Sequence, residues 1–393
     1  MEVVKFLKSF LSVMIKLTLI SLLMLCCVIT FQYSRTTFYN FPETEAFHGS
    51  EFYNPYATIH AGSRKLKANF HAHGIAWGNY TYGANTDEEV YDAYKKKNYD
   101  LIGISNYHSI NPVGNPSDSL YFPVYEHGCN VLKSHYLVLN SESVSFFDQP
   151  LIQSISMQQQ VIEKIKETGG LVAMAHPELS GRSEEGMLNL VHYDFIEVLN
   201  HYRVSKSFWD HSLSSGKLAW VLGNDDTHDV NDETAFKIWN IIYSDSKSTD
   251  SVLANMKKGM HYSVKTIDGV CDKALNLLQI EGNRLHVQFS DTINAIEIIG
   301  QNGKIIYTHY LVNEFYHYLN PNDTYIRIEA HDNDFSIYLN PIVRFDGKTI
   351  PLNTHLELSE NRSKTWLFRI SMWILLLIEL YVIYRIIRKK SHA

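Results

Sequence analysis

Two long apolar runs bracket the chain, and a patterned portion lies between them. The first run is Leu17 to Phe31, LTLISLLMLCCVITF, and Lys5, Lys8 and Lys16 all precede it. A helix needs about 20 apolar residues to cross the hydrocarbon of a bilayer. Residues 14–16 and 32–34 extend the run toward that length, with Lys16 snorkelling at one end. No small-x-small cleavage site follows. Residues 1–33 are therefore expected to form an uncleaved membrane anchor, with a removed signal peptide as the rival reading. The second run, Trp366 to Ile387, is interrupted by Arg369, Glu379 and Arg385. Its apolar stretch Ile370 to Tyr384 carries Trp373, Tyr381 and Tyr384 near its ends, as an interfacial belt does. A transmembrane helix over 366–388 is expected, the rival being an amphipathic helix lying on the surface. Glu379 inside a span is costly and is expected to pair with a neighbouring helix. Basic residues flank the outer side of each run: Lys5, Lys8 and Lys16 before the first, Arg385, Arg388, Lys389 and Lys390 after the second. Both termini are then cytoplasmic, and the chain from about residue 32 to residue 364 is extracytoplasmic.

Within that outer portion, residues 68–264 alternate short apolar strands with helical segments. Thr86-Asp87-Glu88-Glu89 is a capping box that opens a helix through Lys97. Leu101 to Ile104, Leu171 to Ala175, Phe195 to Leu199 and Leu218 to Leu222 read as buried strands. Met157 to Glu167 is an amphipathic helix stopped by Gly169-Gly170, and Ser183 to Val191 and Ser205 to Ser215 are helical. Repeated β-α units predict parallel strands inside a helical layer. From about Leu275 the texture changes to short alternating strands. They are 285–289, 295–299, 305–307, 325–329 and 336–338, with turn signals at Asn302-Gly303 and Asn320 to Asp323. This predicts a small all-β sandwich over 266–358, after an α/β domain over 34–265.

Composition narrows the classes. The chain has 393 residues with 45% apolar and 20% charged content, which suits two globular domains. A net charge of -7 does not indicate a basic nucleic-acid-binding surface, although a local patch can hide in the average. Cys26 and Cys27 lie in the first apolar run. Cys129 and Cys271 make no zinc-finger pattern; pairing and two free thiols both stay open. Asn79, Asn322 and Asn361 are glycosylation sequons only if the host glycosylates.

The candidate chemistry rests on where histidines and carboxylates fall. His71 and His73 follow a short strand, and in an extended segment residues two apart point to one side. His108, Glu126, His135, His176, Asp226 and His228 also sit mainly at strand ends. Catalytic residues from several strands converge at that edge in β/α barrels. A lone buried histidine is usually structural. Six histidines and two carboxylates in this placement predict a metal site with mixed nitrogen and oxygen donors. Asp225 is read as an outer carboxylate or a solvated one. His127 and His201 are read as structural or supporting residues, and Trp77 and Tyr107 as packing or pocket aromatics. Arg182 and Arg203 are candidate phosphate clamps, although solvated arginines are the commoner case.

The pieces NFHAHG, GISNYHS, YEHG with HYLVLN, AMAHPE and GNDDTHD span about Asn69 to Asp229. In that order they resemble the PHP (polymerase and histidinol phosphatase) superfamily, and the β-rich tail resembles that of its extracytoplasmic hydrolases. The resemblance implies a distorted (β/α)7 barrel and two or three divalent metals. His71, His73, Glu126 and Asp226 would hold the first metal. Glu126 would bridge to a second held also by His135 and His176, and His108 and His228 would serve a third. The chain departs from the family where the usual Thr-Asp-His is Ser105-Asn106-Tyr107-His108. A further family ligand has no clear match among residues 77–82.

His-rich ligation suits Zn, Mn or Fe. Two close metals activate a bound water, here held by Glu126, His176 and Asp226, so no protein nucleophile is required. No Gly-x-Ser-x-Gly elbow or phosphate-cradling glycine loop is present. The leading expectation is a membrane-anchored phosphoesterase acting on a phosphorylated small molecule or a membrane- or wall-associated phosphoester. Carbamate or carboxylic ester hydrolysis is the alternative within the fold. A degenerate binding or sensor domain, which Asn106 favours, and a scaffold are the other classes.

Overall fold

The fold was analysed in a computed structural model, which describes residues 2–81, 83–114 and 120–388. Helices α1 (Glu2–Tyr33) and α6 (Arg362–Arg388) lie at the two ends. Between them run β1 (Tyr39–Asn40), β2 (Glu51–Tyr53), β3 (Lys65–Asn69), α2 (Asp87–Lys96), β4 (Leu101–Ile102), β5 (Val124–His127) and β6 (Tyr136–Leu139). Then come α3 (Ile155–Lys166), β7 (Leu171–Met174), β8 (Phe195–Leu199), α4 (Lys206–Ser214), β9 (Trp220–Gly223), β10 (Ile238–Tyr243), α5 (Thr249–Lys257) and β11 (His261–Thr266). The β-rich remainder is β12 (Leu275–Glu281), β13 (Arg284–Gly300), β14 (Lys304–Tyr318), β15 (Tyr325–His331), β16 (Phe335–Leu339), β17 (Ile342–Phe345) and β18 (Ser359–Glu360).

The chain divides into two compact units. The first contains the N-terminal segment through Asn40, Gln149–Gln160 and the segment from Leu358 onward. Its two long helices are each long and apolar enough to cross a membrane. They pack on each other. Thr30 Oγ1 donates to Glu379 Oε1 at 3.0 Å, so the carboxylate within the apolar helix α6 has an interhelical partner, as a membrane span would require. The Lys16 ammonium bonds the Ile387 carbonyl at 3.2 Å, and Arg369 Nε the Thr36 carbonyl at 2.9 Å. Lys389 and Lys390, two of the residues that set the expected orientation, lie outside the described residues.

The second unit, Phe41–Asp148 with Val161–Glu357, is mixed α/β. Its capping box is present at the predicted place: Thr86 accepts from the Glu89 amide and the Glu89 carboxylate accepts from the Thr86 amide. Gly169 and Gly216 end α3 and α4 with left-handed φ of 81° and 74°. One sheet runs β5-β6-β7-β8-β9. Here β7, β8 and β9 are parallel, but β5-β6 and β6-β7 are antiparallel. The uniformly parallel arrangement expected from β-α alternation therefore fails at β5 and β6. Only the 128–135 connection joins them, too short for a parallel crossover. The larger sheet runs β12-β13-β15-β16-β11-β10-β3-β4. Its β11-β16 ladder, Tyr262↔Leu339 to Thr266↔Phe335, carries hydrogen bonding straight from the α/β portion into the β-rich portion. Isolated bridges join the two sheets at Ala72↔Thr227, Ile102↔Tyr121 and Tyr107↔Glu126.

A buried ionic network fastens α4 to β15. Arg327 sits over the Trp209 ring and clasps both Asp210 carboxylate oxygens at 2.8 Å. It also bonds Glu329, which Lys206 reaches at 3.2 Å and His331 at 3.3 Å. Burial pushes the Glu329 carboxyl up, but the His331 ring and the Arg327 and Lys206 charges prevail and bring it down to about 2. A carboxylate lowered on folding contributes stability above its unfolded pKa and loses it as pH falls toward the folded value. The shift corresponds to about 3 kcal/mol. In thermal melts of the detergent-solubilised protein, wild type should exceed Glu329→Gln in Tm above pH 5. That difference should close as pH is lowered toward 2. A pH-independent difference would contradict the assignment.

Candidate metal centre

Each side chain of the site sits within or next to a strand of the second unit, most of them just past its end. β3 delivers His71 and His73, β5 carries Glu126, β6 is preceded by His135, β7 leads to His176, and β9 leads to Asp226 and His228. The backbone is bent to aim them. His176 and Asp226 hold φ of 28° and 53°, left-handed values that non-glycine residues adopt only when the surroundings enforce them. Gly128 sits where a Cβ would fall 2.4 Å from the His135 ring, so only glycine admits the ring here.

The Glu126 carboxylate lies at the centre. Its Oε2 is 3.4 Å from His71 Nε2 and 3.2 Å from His73 Nε2. Its Oε1 is 2.7 Å from His135 Nδ1 and 3.2 Å from His176 Nε2. Asp226 closes the first side, with Oδ1 3.1 Å from His71 Nε2 and 3.3 Å from His73 Nε2. His228 Nε2 lies 3.5 Å from the same oxygen, and its ring stacks on His73 at 4.4 Å. Four overlapping groups have donor atoms within 4.8 Å of one another: His71/His73/Glu126, His71/His176/Asp226, His73/Asp226/His228 and Glu126/His135/His176.

The donor atoms fit a metal and fit one another poorly. His71 Nε2, His73 Nε2, His135 Nδ1 and Glu126 Oε2 are buried and lack a hydrogen bond of acceptable geometry despite these short separations. Unsatisfied buried polar atoms are costly, and a divalent cation satisfies all four. The field points the same way. Burial disfavours charge on His71, but Asp226, Glu197 and Glu126 hold it well above its usual range. Burial likewise opposes the Glu126 and Asp226 charges. The His135 and His71 rings overcome it for Glu126, and the His71 and His228 rings for Asp226, so both carboxyls stay well below the ordinary carboxylate range. The pocket stabilises positive charge, and a bound cation would take the place of a proton on His71.

Glu197 is a supporting residue that pattern reading does not find. It occupies a buried strand position in FIEVL, where its charge is masked by apolar neighbours. Its Oε1 accepts from His71 Nδ1 at 2.9 Å and from Asn224 Nδ2 at 2.9 Å. Its Oε2 accepts from the His176 amide at 2.9 Å and Asn200 Nδ2 at 3.1 Å. Such a carboxylate fixes the tautomer of a ligating histidine and strengthens it as a donor. The only sequence signal is a glutamate inside an apolar strand. Asn200 also donates to Asp226 Oδ2 at 3.1 Å.

Other candidates fall outside the cluster. His108 Nδ1 bonds the Ser145 carbonyl at 3.0 Å, and its Nε2 accepts from the Gly128 amide at 3.2 Å, so both nitrogens are engaged elsewhere. Arg182 is buried against Tyr136, bonding the His135 carbonyl at 3.1 Å and Met174 Sδ at 3.4 Å; it props the His135 backbone. Arg203 is exposed and bonds the Tyr202 carbonyl. Asp225 orients no ligating histidine. It accepts from the amides of Phe236, Lys237 and Ile238 and from the Tyr94 hydroxyl, which pins the start of β10. Asn106 faces away from the donors, accepting from the Gly74 amide and donating to Asp87. His127 bonds the Phe147 carbonyl, and His201 the Asp225 carbonyl. All four cysteines are unpaired.

No family model matches the chain, and no curated protein matches it. Its likeness is to solved structures, all distant. A two-domain protein from Bacteroides vulgatus, described as containing a predicted PHP-like metal-dependent phosphoesterase, aligns at 11% identity and a TM-score of 0.39. That alignment covers 79% of this chain and 99% of that one. An amidohydrolase from Chromobacterium violaceum aligns at 11% identity and a TM-score of 0.29, covering 41% and 87% of the two chains. A lesion-specific endonuclease from Pyrococcus furiosus aligns at 10% identity and a TM-score of 0.32, covering 50% and 56%.

Replacing Glu197 by Gln keeps the shape and removes the charge that holds His71. Metal affinity, titrated with Mn or Zn after chelation, should fall roughly 10- to 100-fold with the far-UV spectrum unchanged. Unaltered affinity would remove Glu197 from the site.

Proposed function

We propose that the protein is a membrane-anchored, metal-dependent phosphoesterase of the PHP superfamily with a dinuclear centre. The observation that carries the reading is the position of Glu126, which turns one carboxylate oxygen to His71 and His73 and the other to His135 and His176. His71, His73, Glu126 and Asp226 would hold one metal, and Glu126, His135 and His176 the other. The engagement of both His108 nitrogens favours two metals over three. The donor set of imidazoles and carboxylates suits Zn, Mn or Fe. When bound, two such ions lower the pKa of water and stabilise the attacking and leaving oxygens of a displacement at phosphorus.

The residues of the chain supply the rest. Glu126 and Asp226 stay ionised and keep the centre attractive to cations. Glu197 holds the proton on His71 Nδ1 and leaves Nε2 as the donor. The burial of His71, His73, Glu126 and His176 excludes water from the base of the site, and His228, with its side chain 21% exposed, stands at its open side. The bridges that join the two sheets support a distorted seven-stranded barrel built from β3 to β9.

The full chain in detergent, supplied with Mn or Zn, should release phosphate from an aryl phosphomonoester. Chelation should abolish turnover and added metal restore it, and His176→Ala should lack it. Cleavage of the matching carboxylic ester alone would replace the phosphoesterase by an esterase. The extracytoplasmic placement rests on the basic flanks of the two apolar helices. Cys129 is exposed, so a membrane-impermeant maleimide should label intact cells and fail to label Cys129→Ser. Labelling only after lysis would reverse the orientation.

A further inference from the structure

Tyr107 is the residue around the cluster whose position the metal-site reading leaves unused. Its ring lies face-on to His73 at 5.1 Å and 21°, and edge-on to His135 at 5.4 Å and 78°. Those two histidines belong to different donor groups, and Glu126 is the residue the groups share. The Tyr107 hydroxyl lies near the Glu126 carboxylate, with Asp226 and the Tyr202 phenol in electrostatic range. The backbone is equally fixed. Tyr107 and Glu126 form a β-bridge, and Trp77 Nε1 donates to the Tyr107 carbonyl at 2.7 Å.

Two facts give this placement a chemical meaning. Tyr107 is partly exposed while His71, His73, Glu126 and His176 are buried, so it stands where the cluster meets solvent. Among the described residues, no Lys or Arg bonds Glu126 or Asp226; Arg182 is buried against Tyr136 and Arg203 is exposed. No guanidinium or ammonium is thus bound to the carboxylates of the cluster, and the Tyr107 ring packs on two of its histidines. A phenol is a donor at neutral pH. Glu126 beside it would give its charge to a bound cation, and the O–H would then donate to an incoming oxygen.

We propose that Tyr107 is a substrate-binding residue, whose hydroxyl donates to a non-bridging oxygen of the phosphoryl group at the Glu126 side of the cluster. The inference rests on the phosphoesterase reading. Tyr107→Phe keeps the ring stacked on His73 and removes the donor alone.

The test compares this variant with wild type as full chains in detergent. Bound Mn per chain is measured by elemental analysis, kcat and KM with an aryl phosphomonoester, and Kd for inorganic phosphate by calorimetry. The expected result is unchanged Mn content, kcat/KM lowered about 10²-fold and phosphate binding weakened roughly tenfold. Lost Mn would make Tyr107 a positioning residue for Glu126 and overturn the proposal. Wild-type kinetics and phosphate binding in the variant would overturn it while leaving the phosphoesterase intact. A metal-loaded wild type that neither turns over nor binds phosphate would instead remove the phosphoesterase reading, and this inference with it.

Discussion

The interaction on which the site depends is the burial of two ionised carboxylates, Glu126 and Asp226, among five imidazoles. An isolated buried carboxylate would protonate to escape the cost of desolvation. Here both are held well below the ordinary carboxylate range by the surrounding rings. Removing a cation from such a pocket leaves charge that only protons on the histidines can balance, so proton and metal occupancy are linked. Glu126 is the stricter of the two, since its two oxygens face separate pairs of histidines and neither can turn without abandoning a pair.

That demand explains features outside the donor set. Glu197 gathers His71 Nδ1, the His176 amide and two asparagine side chains on one buried carboxylate. Through Asn200 the same hydrogen-bond chain reaches Asp226. The left-handed φ values of His176 and Asp226 are tolerated because these bonds over-determine the backbone there. The antiparallel β5-β6 pair has a role too. It sets Glu126 opposite Leu137, and the 128–135 connection returns His135 to the Glu126 side chain.

How much of this was legible in the sequence depends on the range of the signal. Local chemistry was readable: the Thr86 capping box, the glycine stops after α3 and α4, the two apolar helices and the partner required by Glu379. The clustering of His71, His73, Glu126, His135, His176, Asp226 and His228 was also readable, because ligand-type residues recur next to apolar strands. Sheet pairing was not. The continuation of the β11 ladder into β16 depends on contacts distant in sequence that no short pattern encodes, and the β5-β6 direction was hidden behind the general expectation of β-α alternation although the short 128–135 connection dictates it. The supporting Glu197 was hidden because one charge in an apolar strand cannot be told from a tolerated substitution without its partners. Arg182 illustrates the reverse error. Its residue type and loop position resemble those of an anion clamp, and only its burial against Tyr136 reveals a structural prop.

The segment 105–108 shows how a single residue of spacing alters a site. In the motif it resembles, a histidine follows threonine and aspartate directly; here Tyr107 intervenes before His108. The chain leaves the extended conformation at His108, whose φ is 48°, so the side chains of Tyr107 and His108 part company there. His108 is accordingly turned to the Ser145 carbonyl and the Gly128 amide, and Tyr107 is turned onto His73 and His135. Asn106, freed from any ligand role, ties the Gly74 amide to Asp87 at the start of α2. The exchange trades a nitrogen donor for a phenol at the open face of the cluster. A metal ligand holds a cation in place, whereas a phenol hydroxyl is a neutral donor. The extra residue thus turns His108 away from the donors and sets a phenol beside His73 and His135.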